Sequence, residues 1–278
     1  MKIQSYQSYQ AFAARAEKFW LKEEAMNSLF WEFSEKKISG LKPQWMGNIF
    51  HEKRVIGSAL ITEASYILIS ISDRNAIEHL VKYLIQKNII LKGITGPQHE
   101  VKNFTKCWNE QNTAFCANVI QSFSVLLSPV KFSLVHSSSK IIKVSNLEWP
   151  RVLLWAKAFA NESNPKLNQQ QTIKLAKQMK EEGQLFVLKN IHGQTEAMGG
   201  FGRFTPNASV INMVYVNPEK RKKGVATELT LKLLEYSKAS GYKKSILFSD
   251  YLVDGNLYKN IGFLEKGLIQ EIAFQAMS

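Results

Sequence analysis

The chain has 278 residues, 45% of them hydrophobic and 21% charged, enough apolar material for two cores and too much for wholesale disorder. No window holds the ~18 consecutive apolar residues of a membrane span, and the polar stretch Met1–Phe12 lacks a secretory signal's apolar core, so a cytoplasmic protein is expected. A net charge of +13 raises nucleic acid as a partner. The excess is spread over both halves, however, and no nucleic-acid-binding motif accompanies it. Cys107 and Cys116 are expected as reduced thiols, and no Cys/His spacing suits a metal.

In chain order, apolar residues at helical spacing predict one helix from Tyr9 to about Lys36, stopped by Gly40 and Pro43. Strands are predicted at Trp45–Phe50, Val55–Ile61 and Ser65–Ile71. Asp73 is the expected cap of a helix reaching Lys87. An extended run Ile89–Ile94, a turn at Gly96-Pro97, a helix His99–Gln111 and two apolar runs, Ala114–Ile120 and Phe123–Leu127, complete the first half.

The polar stretch Ser137–Lys140 marks the expected boundary, giving domains 1–139 and 140–278. The second half reads as a strand Ile141–Val144 and helices Trp149–Phe159 and Gln169–Lys180, the latter stopped by Gly183. Strands Gln184–Lys189, Glu196–Phe204 and Val210–Val216 follow, then a helix Val225–Ser240 ended by Gly241. A strand Lys244–Ser249, a short helix Asn256–Asn260 and a last strand Leu268–Phe274 close the chain. The two halves share an order of elements, which points to a tandem repeat of one mixed α/β fold.

The stretch Ile211–Ala226 carries the chemistry. A strand ends at Val216, Pro218 breaks it, and Gly224 stands where a helix begins. The first N–H groups of a helix lack internal partners and its dipole favours negative charge, so such a junction is an anion site. Gly224 permits positive φ and close approach, Ala226 is small, and Arg221, Lys222 and Lys223 add positive potential.

Arg221-Lys222-Lys223-Gly224-Val225-Ala226 resembles the pyrophosphate loop of the GNAT (GCN5-related N-acetyltransferase) superfamily, Gln/Arg-x-x-Gly-x-Gly/Ala. Asn256 followed by Tyr258-Lys259-Asn260-Ile261-Gly262-Phe263 resembles the family's later signature, Asn before Tyr-x-x-x-Gly-Phe. The resemblance covers the second half well and the first in outline. It implies tandem GNAT-like α/β folds, mixed central sheets flanked by helices, with a coenzyme loop only in the second half. The implied activity is acyl transfer from an acyl-coenzyme A, expected as acetyl-CoA, to a primary amine, with no metal.

On that resemblance the loop amides from Lys222 to Thr227, Val225 included, hold the pyrophosphate, and Val214, Tyr215 and Val216 pair with the pantetheine arm. Tyr258, a phenol protonated at neutral pH, is the expected acid for the leaving thiolate. Asn256 is a candidate coenzyme contact, although it precedes Tyr258 by only two residues. Glu196 stands where some members place a carboxylate base, and Glu162, in the expected acceptor wall, could meet a cationic amine. The first half reads Ser72-Asp73-Arg74 at the matching junction, with no glycine, and is expected to bind no coenzyme. Two other readings of the chain are a non-catalytic acyl-CoA-binding protein and a basic nucleic-acid-binding module.

Overall fold

A computed structural model describes residues 1–34, 42–111, 115–129, 139–249 and 257–276. In chain order its first elements are β1 (Lys2–Ser5), α1 (Tyr9–Trp20), β2 (Trp45–His51), β3 (Arg54–Ile61), β4 (Tyr66–Ile69), α2 (Arg74–Gln86), β5 (Gly93–Pro97), α3 (Gln98–Gln111) and β6 (Phe115–Leu127). Then come β7 (Lys140–Lys143), α4 (Trp149–Glu162), α5 (Gln169–Glu181), β8 (Leu185–Lys189), β9 (Thr195–Phe204) and β10 (Ala208–Val216). The last are α6 (Val225–Ala239), β11 (Lys244–Ser249), α7 (Leu257–Asn260) and β12 (Leu264–Ala276). Two compact units result: Met1–Ser124 with Lys266–Ser278, and Val125–Glu265. Relative to a cut at 139/140, residues 125–129 group with the second unit and 266–276 with the first.

In the first unit the strand order is β1-β2-β3-β4-β5-β12-β6. One core, with Ile77, Leu80, Leu84, Val101, Phe104 and Trp108, lies under α2 and α3; another, with Phe12, Trp20, Phe30 and Leu68, lies under α1. Asp73 caps α2 as its sequence position predicts, its Oδ1 accepting from the Ala76 N–H at 2.7 Å.

The structure departs from the sequence reading in several places, among them β1, which was not expected, and β6, which joins two expected runs into one strand. The long helix expected to about Lys36 stops at Trp20 and continues as 3-10 turns at Leu21–Glu23 and Ser28–Phe33; its expected end, 35–36, lies outside the described residues. Asn27 is the physical reason. It is buried, so its amide must be satisfied; it donates to Trp20 O at 3.2 Å and accepts from the Ile71 N–H at 3.0 Å. The strand expected at Ile89–Ile94 instead spans Gly93–Pro97, because the end of α2 takes Ile89, whose N–H bonds Leu84 O. The place of Gly93 is set by close approach: a Cβ there would meet the Tyr66 ring at 2.3 Å and Ile272 O at 2.4 Å. Finally, β12 was expected with the second half but pairs antiparallel with β5, from Ile269↔Pro97 to Ala273↔Gly93. Ile272 and Phe274 then lie in the first unit's core, Phe274 stacked on Trp108.

In the second unit the order runs from the end of β6 through β11-β10-β9-β8-β7. Leu229, Leu233 and Leu234 of α6 pack on one face of that sheet, and Val152 and Ala156 of α4 with Ala176 and Met179 of α5 on the other. Each unit contains a parallel strand pair bridged by a helix: β4 and β5 around α2, and β10 and β11 around α6. The shared order of elements is thus a shared topology. Cys107 and Cys116 are free. Among the described residues, no helix is long and apolar enough to cross a membrane and no cluster of side chains could hold a metal ion.

Candidate active site

Strand β10 is where the second unit's sheet opens. Its pairing with β11 runs from Ala208↔Lys244 to Ile211↔Leu247 and stops there. Its pairing with β9 continues to Val216↔Ala197, but between Asn212 and Tyr215 it takes one more residue than its partner. The extra residue makes a bulge centred on Met213, whose φ of 57° is left-handed. Asn212 props it, its Oδ1 accepting from the Met213 N–H at 2.7 Å. Among the described residues, β11 does not pair with β10 beyond Ile211.

Beyond β10 the chain turns through Pro218–Lys220 and a short loop into α6. Lys222 and Gly224 both have positive φ, 60° and 79°. At Gly224 a Cβ would meet nothing within 4 Å, so glycine is required by backbone conformation and not by space. Helical bonding begins with the Glu228 N–H to Gly224 O at 3.0 Å, which leaves the amides of Val225, Ala226 and Thr227 ahead of the ladder.

A cavity of about 420 Å³ lies where these features meet. Val214, Tyr215 and Val216 supply one wall, and the loop and helix start (Lys220, Arg221, Lys222, Gly224, Val225, Ala226 and Thr227) another. Phe159, Glu162 and Ser163 at the end of α4, and Leu257 and Tyr258 of α7, close it. Tyr258 is buried, edge-on to Phe263 at 5.9 Å, and its carbonyl accepts from the Phe263 N–H. Gly262, at φ 92°, makes the turn that folds Phe263 back against it.

Most sequence-designated positions therefore line one cavity: Val214, Tyr215, Val216, Arg221, Lys222, Gly224, Val225, Ala226, Thr227, Tyr258 and Glu162. Lys223 is not among the lining residues and donates to Glu219 O at 3.1 Å. Asn256 lies outside the described residues. Phe159, Ser163 and Leu257 were not singled out from sequence. Nothing in an isolated aromatic or serine near a helix end would have marked them.

Glu196 and Glu162 behave differently from the expectation of available carboxylates. Glu196 does not line the cavity; its Oε1 lies 3.2 Å from Lys220 Nζ and accepts from Asn190 at 2.9 Å. It clasps the turn after β10, a role reinforced by its own carbonyl accepting from the Asn217 N–H. Glu162 does line the cavity, with both oxygens engaged: Arg221 at 2.7 Å and the Tyr215 hydroxyl at 2.8 Å. Burial works against its charge, but the Tyr215 and Arg221 bonds outweigh it and hold the carboxyl below its ordinary range. Burial first, then the neighbouring carboxylate, raises the Tyr215 phenol. The Arg221 guanidinium also lies 5.1 Å from the Tyr215 ring centroid.

Residues 149–263 match the profile of the acetyltransferase (GNAT) family. Along its length the chain is similar in fold to an acetyltransferase from the GNAT family of Colwellia psychrerythraea, with 14% identity, 100% of each chain covered and a TM-score of 0.56. A GCN5-related N-acetyltransferase from Sphaerobacter thermophilus matches at 10% identity over 99% of this chain and 95% of that one, TM-score 0.59. A tandem GNAT protein from the clavulanic acid biosynthesis pathway matches at 12% identity over 99% and 98%, TM-score 0.54. At these identities the likeness to the solved structures is one of fold. No curated protein matches the chain.

Proposed function

We propose, starting from the match of residues 149–263 to the acetyltransferase (GNAT) family, that the chain transfers an acetyl group from acetyl-coenzyme A to a primary amine. The observation that carries this reading is the meeting of three features in one cavity: the strand end Val214–Val216, which β11 does not pair among the described residues, a helix start entered through Gly224, and Tyr258. An extended thioester arm with amide groups can add to this end of β10 as a further strand would. Its pyrophosphate fits the amide donors at the start of α6, where the helix dipole favours negative charge.

The chemistry that follows is simple. A neutral amine attacks the thioester carbonyl carbon, a C–N bond forms, and negative charge gathers on the carbonyl oxygen. Backbone N–H groups of the bulged edge are suited to stabilise that oxygen. Collapse breaks the C–S bond; the leaving thiolate takes a proton from the Tyr258 hydroxyl, and the proton shed by the attacking nitrogen passes to solvent water, from which the tyrosinate is reprotonated. Because Glu196 is committed to Lys220 and Asn190 and stands apart from the cavity lining, its geometry lends no support to a role as base. Thiol release from acetyl-CoA, followed across a panel of primary amines, is the direct assay. Amine-dependent release is expected; tight coenzyme binding with no release on any amine would favour a non-catalytic acyl-CoA-binding protein.

A further inference from the structure

The cations of the loop are not equivalent. Lys220 is matched to Glu196, a buried carboxylate fixed by a second bond from Asn190. Arg221 is matched to Glu162, which belongs to a different element, α4, and shares the cavity wall with it. Their side chains are 41% and 46% exposed.

Each partner also has an anchor that does not depend on the other. Arg221 Nε donates to Val216 O at 3.1 Å and its guanidinium lies over the Tyr215 ring. Glu162 Oε1 accepts from the Tyr215 hydroxyl. The pair can therefore part while both side chains stay in place. An exposed ion pair contributes only ~0.2–1 kcal/mol, and a guanidinium meets phosphate with two parallel charge-assisted bonds.

We propose that Glu162 is an exchangeable counter-ion of Arg221: it occupies the guanidinium until a coenzyme phosphate takes its place, and so sets the affinity for phosphate-bearing ligands. The inference rests on reading the cavity as a coenzyme site. Binding must first break the pair, so removing the carboxylate strengthens binding by what the pair contributes. It acts through Arg221 and not through general negative charge, so the effect vanishes when Arg221 is replaced.

The test is calorimetric titration with coenzyme A of the wild-type chain, Glu162→Gln, Glu162→Ala, Arg221→Gln and the Glu162→Gln/Arg221→Gln double variant. Glutamine at 221 still fits the loop pattern, so binding remains measurable. Both Glu162 variants are expected to bind coenzyme A about two- to fivefold more tightly than wild type. Glu162→Gln is expected to change nothing in the Arg221→Gln background. Unchanged or weaker binding by both single Glu162 variants, or an undiminished gain in the double variant, would overturn the exchange. No binding by the wild type would overturn the coenzyme reading itself, a separate outcome.

Discussion

Tyr258 has the most exact role of any side chain in the reading, and it is open to a clean substitution. Tyr258→Phe keeps the ring against Phe263 and removes only the hydroxyl. If that hydroxyl protonates the leaving thiolate, kcat falls by about 10² or more while coenzyme affinity is retained. A phenylalanine variant with wild-type kcat would leave Tyr258 a wall and nothing else. Gly224 and Tyr258 were legible in the sequence through the resemblance of Arg221–Ala226 and Tyr258–Phe263 to the family's loop and later signature. The bulge at Met213 was not legible. Its left-handed backbone sits on a residue type that gives no sign of it, and the bond from Asn212 that props it is visible only in three dimensions.

A second residue-scale expectation concerns pH. The Glu148 carboxyl is drawn down to about 2, first by the bond from the Ser145 hydroxyl and then by Lys189 at 2.9 Å. Its folded value lies below its unfolded one. It therefore contributes stability above the ordinary carboxylate range, and that contribution is lost as pH falls through the folded value. Denaturant unfolding of wild type against Glu148→Gln is expected to show the wild type more stable at neutral pH. The gap should close toward pH 2; a constant gap across that range would contradict the assignment.

At the scale of elements, sequence reading succeeded where a capping residue gave each helix a local signature. Asp73, Gly183 and Gly241 all stand where their helices start or stop. It failed from Leu21 to Phe33, because the break there depends on a bond between Asn27 and Ile71, far apart in the chain. It also shifted β5, whose register depends on Tyr66 packing over Gly93. The Asp73 cap has a second consequence. Its carboxylate fills, from within the chain, the place at the α2 start that an anion would take. Asp73→Ala is expected to cost about 1 kcal/mol of stability, read as faster hydrogen exchange of the first α2 amides. Exchange unchanged from wild type would show that the cap contributes nothing.

At the scale of the molecule, two units of one topology differ at the strand-to-helix junction: in the second, Gly224 at positive φ leads into α6, and in the first, Asp73 caps α2. The repeat was legible from the order of elements. The assignment of β12 was not, since an apolar strand at the chain's end fits either sheet, and only Ile272 and Phe274 packing beside Trp108 decides it. The proposed function predicts one coenzyme site per chain, built on the junction after β10.

Calorimetric titration of the full chain with coenzyme A tests this most directly, run beside Gly224→Val, whose branched side chain disfavours the required left-handed backbone. One site per chain, lost or greatly weakened in the variant, is the expected result. Two sites, no binding, or undiminished binding by Gly224→Val would contradict it.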